Sequence, residues 1–147
     1  MTQILKDITE ITRCGAQYRT EQFAPIGLKS CHGSYLMEIC NQPGISQEQL
    51  AHKICINKSN VARQVAVLEE SGFVERRTCG KDKRIMRLYP TEKALSLLPE
   101  IERIMQTWQA CLLQDLDEQE QLLLERMLLR MRARACAWVE EINETDK

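Results

Sequence analysis

Apolar residues recur at intervals of three and four along most of the chain, which is the spacing of amphipathic helices. One such stripe covers residues 3–20, and a second pattern predicts a helix over 28–41. Ser46 is followed three residues later by Gln49, the capping-box pattern that starts a helix, here over 47–54. The first part of the chain is therefore expected to be helical, with a turn where Pro and Gly precede Ser46.

The period changes in the middle of the chain, after one more short helix. That helix opens with Lys58-Ser59-Asn60 and is closed by Gly72, a residue suited to the left-handed conformation after a helix. Residues 73–79 and 84–89 have strand-like patterns, and the segment 80–83 between them has the composition of a hairpin turn. Two short helices followed by a hairpin predict a winged helix-turn-helix.

Two long helices are predicted after the hairpin. Thr91 can cap the first of them, in which Pro99 predicts a kink because proline removes a backbone hydrogen bond. Asp117 starts the second, whose apolar positions from Leu124 to Ile142 are spaced almost as in a coiled coil. These stripes and the one near the amino terminus predict an intertwined homodimer, with a monomeric helical bundle as the alternative.

The composition is that of an ordinary globular protein, but the charge is unevenly distributed. The 147 residues are 44% hydrophobic and 28% charged, and the net charge is −1. Between Lys58 and Arg87, eight basic residues outnumber four acidic ones, so this segment carries +4 and the remainder −5. A basic island on an acidic body indicates a nucleic-acid-binding face, with a solvated surface as the alternative.

Several other functional classes find no support in the sequence. It has two histidines, no glycine-rich phosphate loop, no nucleophile elbow and no HExxH motif, so we expect neither an enzyme nor a bound cofactor. The seven cysteines include no CxxC pair, which argues against a metal site, and most should be free thiols. No apolar run reaches membrane-spanning length and the amino terminus is charged, so we expect a cytoplasmic protein without a membrane partner.

The stretch from Tyr35 to Ala94 resembles the MarR family of winged helix-turn-helix transcriptional regulators. The resemblance rests on PGISQEQLAHKICINKSNVARQVAVLEESGFVERR followed by GKDKRIMRLYPTEKA, and on Asp82-Lys83-Arg84 with Thr91 nine positions after the aspartate. Pro90 departs from the family pattern, which usually has leucine before the threonine, and Ala94 stands where the family often has glycine. The flanking helices fit the family's dimerisation region.

The resemblance implies a homodimeric regulator of the repressor type, which binds a pseudo-palindromic operator in double-stranded DNA and is released by a small-molecule effector. The predicted fold is mainly α with a small β-hairpin wing. Residues 27–90 would form the winged helix-turn-helix DNA-binding domain, and residues 1–26 and 91–147 the helical dimerisation region. Two alternatives stay open: a thiol-based redox-sensing regulator of the same fold, and a winged-helix module that binds protein rather than DNA.

The first group of expected DNA-binding residues lies on the second short helix. The side chains and free N–H groups of Lys58-Ser59-Asn60, at the helix start, suit phosphates and base edges. Arg63 can bind guanine and Gln64 can bind adenine, each through two hydrogen bonds. Arg63 could instead pair with Glu69 or Glu70, and Gln64 could instead lie on a solvated helix face.

The second group lies on the hairpin. Lys81, Lys83 and Arg84 are expected to contact phosphates and the minor groove, and the resemblance points to Arg84 for insertion into the groove. Asp82 cannot favour DNA as a free anion. We therefore expect it to shape the wing by pairing with Arg76 or Arg84.

The family binds ligands between its dimerisation helices and its winged domain, and five residues could lie near that space. They are the expected pocket for a small aromatic effector: Tyr18, Cys31, His32, Tyr35 and Trp108. The alternative is ordinary core packing with one solvated histidine.

Two thiols are the candidate redox sensors, because basic neighbours lower a thiol's pKa. Cys31 lies near Lys29 and His32, and Cys79 lies beside Arg77 in the predicted wing. We expect no metal at Cys31 and His32, because no standard zinc spacing accompanies them.

Overall fold

The computed structural model describes residues 2–145 and divides into two compact units, Met1–Trp108 and Gln109–Lys147. The fold is mainly helical with one small antiparallel sheet, as predicted. Its elements are α1 (Gln3–Phe23), α2 (His32–Asn41), β1 (Ile45–Ser46), α3 (Gln47–Ile54), α4 (Lys58–Glu70), β2 (Val74–Thr78), β3 (Met86–Pro90), α5 (Glu92–Leu113) and α6 (Glu118–Thr145). Within residues 2–145, no helix combines the length and apolar character that crossing a membrane requires.

The start of α2 differs from the prediction. Gly27 adopts a left-handed conformation (φ 78°) after a short 3-10 turn, Ala24–Ile26, that follows α1. The chain then makes one more turn, in which the His32 N–H donates to the Lys29 carbonyl at 3.0 Å. The helix predicted to begin at residue 28 therefore begins at His32, because the turn uses the preceding residues.

The helix-turn-helix is built by local capping signals, and the prediction of its first helix is confirmed. Ser46 Oγ accepts from the Gln49 N–H at 3.1 Å while the Gln49 side chain accepts from the Ser46 N–H at 3.0 Å. α4 is capped by Asn57, a residue that the sequence analysis did not single out. Gly72 follows α4 with φ 81°, the left-handed conformation that its position predicted.

The sheet has the order β1-β3-β2. β1 was not predicted, because two residues are too few to show a strand pattern; it pairs Ile45 with Leu88. The hairpin of β2 and β3 is confirmed, but the four-residue turn is wrong: the connection runs from Cys79 to Ile85. The Ile85 N–H donates to the Asp82 carbonyl at 3.2 Å, which keeps residues 84 and 85 in the turn instead of the strand.

The core of the first unit lies among α2, α3, α4, the sheet and the first half of α5. Its fully buried side chains include Phe23, Tyr35, Leu36, Ile39, Leu50, Val61, Val65, Leu68, Leu88, Ile101 and Ile104. Thr91 caps α5, accepting from the Ala94 N–H at 3.3 Å while donating to the Gly72 carbonyl at 2.6 Å. Thr91 thereby links Gly72, which follows α4, to the start of α5.

Close helix packing in this unit depends on a glycine. A Cβ at Gly33 would lie 2.9 Å from the Phe23 ring, so any larger residue at this position would require the ring or the helix to shift. The inward face of α5 carries Ile101 and Ile104, whereas Leu95 of the predicted stripe is exposed. α5 continues through Pro99 as one helix.

The second unit contains the end of α5 and α6. Asp117 and Glu120 cap α6 reciprocally, with both backbone-to-carboxylate hydrogen bonds at 2.9 Å, which confirms the predicted start. The Gln121 amide donates to the carbonyls of Leu113 and Leu116 and closes the connection between the helices. α6 has no buried residue within Glu118–Thr145, although it carries many large apolar side chains: Leu122, Leu123, Met127, Leu128, Leu129, Met131, Trp138, Val139 and Ile142.

Candidate nucleic-acid interface

The start of α4 is organised by Asn57. Its Oδ1 accepts from the Asn60 N–H at 2.8 Å and from the Ser59 hydroxyl at 2.9 Å. These two predicted DNA-binding groups are therefore engaged within the helix cap. The first-turn N–H groups of Lys58 and Ser59 have no carbonyl of their own helix to bond, so they remain the donors that this helix end offers to an anion. An asparagine before a predicted helix is a preferred N-cap, and that signal could have identified Asn57.

Lys58 is paired across the helix-turn-helix with Glu48, in the first turn of α3. Its Nζ lies 2.6 Å from Glu48 Oε1, and both side chains are exposed. The hydrogen bond and charge of Lys58 lower the pKa of the Glu48 carboxyl. A phosphate that binds Lys58 must therefore compete with a carboxylate, a partner that the sequence analysis did not foresee.

Arg63 lies exposed on α4, and its contacts differ from the ion pair considered as an alternative. Its guanidinium donates to Asn60 Oδ1 at 3.4 Å, one turn earlier. Glu69 is held instead by Arg76 of β2, which donates to it through its backbone N–H at 3.1 Å and through its guanidinium at 2.9 and 3.1 Å. These bonds lower the pKa of Glu69 and tie the wing to the end of α4.

Gln64 is half-buried on α4. Its Oε1 lies 3.0 Å from Nε2 of His32, the first residue of α2. The Cys31 thiol lies 3.8 Å from the same oxygen. The amide oxygen of Gln64, a side chain expected to bind a base, therefore contacts α2.

The wing tip is closed by Asp82 and Arg84. Asp82 Oδ1 accepts from the Arg84 N–H at 3.0 Å and from Arg84 Nε at 3.1 Å, and these bonds lower the pKa of Asp82. Of the two partners considered for Asp82, the structure shows Arg84. Lys81, Lys83 and Arg84 are all exposed, and the Arg84 side chain is 91% exposed. The turn therefore projects three cations into solvent.

Cys79 lies at the base of this turn, immediately after β2. The backbone N–H groups of Lys81 and Asp82, and then the Arg87 guanidinium, stabilise its thiolate and lower its pKa. Cys79 and Cys31 are free thiols, Cys79 half-buried and Cys31 exposed.

The five predicted effector residues form two contact groups. The Tyr18 and Trp108 rings stack at 5.5 Å between centroids, and the Tyr18 hydroxyl donates to the Ile104 carbonyl at 3.2 Å. The His32 and Tyr35 rings meet edge-on at 6.5 Å, beside Cys31. The Tyr35 hydroxyl is buried and has no hydrogen-bond partner within the described residues. His32 is buried as well, so the alternative of a solvated histidine is wrong.

The sequence is similar to those of known transcriptional regulators. The MarR family profile matches residues 31–86, from the α2 start through the wing. The chain is 33% identical to the uncharacterized HTH-type transcriptional regulator YybA of Bacillus subtilis (strain 168) over 103 residues, 70% of this chain and 69% of YybA. No group of three metal-ligating side chains occurs among residues 2–145.

Solved structures of similar fold match most of the chain. The transcriptional regulator SlyA is similar with a TM-score of 0.92 and 34% identity, over 96% of this chain and 99% of SlyA. A MarR-family regulator from Listeria monocytogenes, solved in complex with a 26-mer DNA, has a TM-score of 0.87 and 28% identity, over 93% and 91% of the two chains. These relatives are transcriptional regulators and not enzymes. The chain therefore belongs to the MarR family of winged helix-turn-helix transcriptional regulators.

Proposed function

We propose that this regulator is a homodimeric repressor that binds a pseudo-palindromic DNA operator through α4 and the wing. The observation that carries the proposal is the set of exposed cations on these two elements: Lys58, Arg63, Lys81, Lys83 and Arg84. A helix N-terminus and a cationic hairpin are suited to phosphates, and Arg63 to guanine. A related structure in complex with DNA supports the same use of the fold. Because its proposed ligand is DNA, we also propose a cytoplasmic location for this protein.

Exposed apolar surface supports the dimer. In the first unit, α1 exposes Ile4, Leu5, Ile8 and Ile11. In the second unit, α6 exposes its apolar face along its whole length. Contiguous apolar surface of this kind marks interaction sites, since water disfavours it. A twofold dimer would cover these faces and would present two copies of α4 to half-sites about 10 base pairs apart.

The test combines duplex selection with measurement of mass in solution. We expect light scattering to give a dimer, and a random duplex library to yield inverted repeats. Leu128→Glu, which places a charge on the apolar face of α6, should produce monomers and lose binding to the repeats. Gln119→Glu is the matched control, because it adds the same residue at an exposed polar position of the same helix. Monomers that bind single half-sites with undiminished affinity would contradict the dimeric mode.

Release by a small aromatic effector remains part of the proposal. The stacked Tyr18 and Trp108 rings, both half-buried, offer aromatic surface of the kind that holds phenolic compounds. A panel of phenolic compounds added to the preformed DNA complex should release the duplex, and Trp108→Phe should change the effective concentration. If no compound releases DNA, the effector part of the proposal is wrong and the DNA-binding part is unaffected.

A thiol switch is the second candidate function, and the lowered pKa of Cys79 favours it. A peroxide would transfer one oxygen atom to the thiolate, giving a sulfenic acid and hydroxide within the wing. Peroxide should then release DNA from the unaltered protein but not from Cys79→Ser, with Cys14→Ser as the exposed-thiol control. A module that binds protein instead of DNA would show no salt-dependent binding to any duplex.

A further inference from the structure

The side-chain amide of Gln64 is held in one orientation by a residue outside α4. Nδ1 of His32 lies 3.1 Å from the backbone nitrogen of Lys29. A backbone N–H can only donate, so Nδ1 is the acceptor and the proton of the neutral ring is on Nε2. Burial lowers the pKa of His32, which keeps the ring neutral at physiological pH.

The tautomer decides which end of the Gln64 amide faces inward. Nε2–H of His32 is a donor 3.0 Å from Gln64, so the amide atom facing it is the oxygen. The Cys31 thiol is a second, weaker donor to the same oxygen, at 3.8 Å. A carbonyl oxygen has two lone pairs, and both have a donor here. The two N–H bonds of the amide are what Gln64 has left for a ligand.

We propose that His32 is a positioning residue that sets the base preference of α4 by restricting Gln64 to donating hydrogen bonds. This inference rests on the proposed binding of α4 to DNA. A freely rotating glutamine favours adenine, because it donates to N7 while accepting from the N6 amino group. A glutamine whose oxygen is already engaged loses the second of these bonds. Guanine offers two acceptors, O6 and N7, to the remaining N–H groups.

The proposal changes the expectation for this position from adenine to guanine. Thymine retains one acceptor, O4, and adenine retains N7, whereas the cytosine edge presents a donor. We expect guanine over cytosine by about tenfold at the base pair nearest Gln64, because either acceptor of guanine can take an amide N–H, whereas cytosine presents a donor that leaves this N–H unpaired. No contact between His32 and DNA is involved, so the effect of His32 is exerted through Gln64 alone.

Three variants separate positioning from simple structural support. His32→Phe fills a similar volume without a donor, so it frees the Gln64 oxygen. His32→Gln restores a side-chain N–H donor and an acceptor for the Lys29 N–H, and should restore the preference. Gln64→Glu keeps an acceptor for His32 but presents an oxygen to the DNA, so it should favour bases with an amino group, cytosine and adenine.

The experiment selects duplexes from a library randomised across one half-site, for the full chain and for each variant, at one salt concentration. We expect guanine for the unaltered protein, adenine for His32→Phe, guanine again for His32→Gln, and cytosine or adenine for Gln64→Glu. Adenine preference in the unaltered protein, or an unchanged preference in folded His32→Phe, would overturn the proposal. If His32→Phe does not fold, an unchanged preference in Gln64→Glu overturns it.

Failure of the proposed function gives a different result. A chain that selects no sequence at all, at any salt concentration, shows that α4 does not bind DNA. If the protein selects an operator and His32→Phe selects the same bases, the operator binding is supported and the positioning role of His32 is wrong. Arg63→Ala serves as the control variant, because it should change base preference at its own contact and leave the position nearest Gln64 unaltered.

Discussion

Replacing Arg84 by alanine tests the DNA-binding surface most directly. The side chain is 91% exposed at the wing tip, where its guanidinium is held by Asp82 at 3.1 Å. An ion pair so exposed to water is weak, so a phosphate or the electronegative minor groove can compete with the carboxylate. The variant removes one cation per protomer from the DNA-binding surface of the proposed dimer, and the side chain that it removes is exposed.

The magnitude follows from counterion release. Each cation that neutralises a phosphate adds about 0.9 to the slope of log affinity against log salt, so the proposed dimer should lose about 1.8. At about 0.15 M salt the same relation makes each contact worth about fivefold in affinity, and two contacts about 30-fold. Arg84→Ala should therefore bind its operator about 30-fold more weakly at this salt concentration, and the difference should shrink as salt rises.

The assay is fluorescence anisotropy with a labelled operator at four or more salt concentrations. Arg84→Lys is the matched control: it keeps the charge, so the salt slope should be retained, while loss of the guanidinium should relax any preference for a narrow A·T-rich minor groove. An Arg84→Ala variant with the original slope and affinity would refute the assignment of the wing to DNA binding.

Three other outcomes follow from single groups. Tyr35→Phe removes a buried hydroxyl that has no hydrogen-bond partner among residues 2–145, so the variant should be about 1 kcal/mol more stable and melt about 3 °C higher. A loss of stability in urea unfolding would show that the hydroxyl is bonded. The pKa of His32 is lowered from 6.5 in the folded state, so below pH 6.5 the unfolded state binds more protons than the folded state. The stability contributed by the buried neutral ring is therefore complete above pH 6.5 and is lost as the pH falls below that value, by at most about 1.4 kcal/mol per pH unit. This slope should be absent in His32→Gln, and equal slopes in both proteins would contradict the burial argument. The lowered pKa of Cys79 predicts that its alkylation by iodoacetamide, followed by mass spectrometry of the peptide, has a pH midpoint below the usual thiol value of 9.0. A midpoint at or above that value would contradict the stabilisation of the thiolate by the wing.

The sequence by itself determined the elements whose signals lie within one or two turns of chain. The capping box of Ser46 and Gln49, the left-handed Gly72 and the cap of α6 at Asp117 are found where the sequence predicts them. The capping side chains of Ser46 and Asp117 bond to residues three positions along the chain, and Gly72 acts through its own backbone conformation, so the local chain specifies these features before any tertiary packing forms. The apolar periodicity, together with the change to a strand-like pattern after Gly72, was sufficient to predict the fold class.

Boundaries and short elements depended on contacts that local patterns do not contain. β1 is recognisable as a strand only because Ile45 pairs with Leu88, far away in the sequence. The later start of α2 depends on the turn after Gly27, and the longer wing turn depends on the hydrogen bonds of Asp82. A helix or strand predicted from periodicity extends to the last residue of the pattern, whereas the observed element ends where its backbone forms hydrogen bonds of another kind.

The partners of the charged and polar side chains were decided only by the tertiary structure. Several pairings were open in the sequence, and the fold selected Arg76 for Glu69, Glu48 for Lys58 and His32 for Gln64. The last two pairs join different helices, and their members stand 10 and 32 positions apart. No periodicity or composition marks such pairs, because a hydrogen bond is directional and depends on where two separate backbones place their side chains. The sequence therefore determined that a basic helix and wing exist, and the tertiary contact between His32 and Gln64 determined that the amide oxygen of Gln64 is engaged.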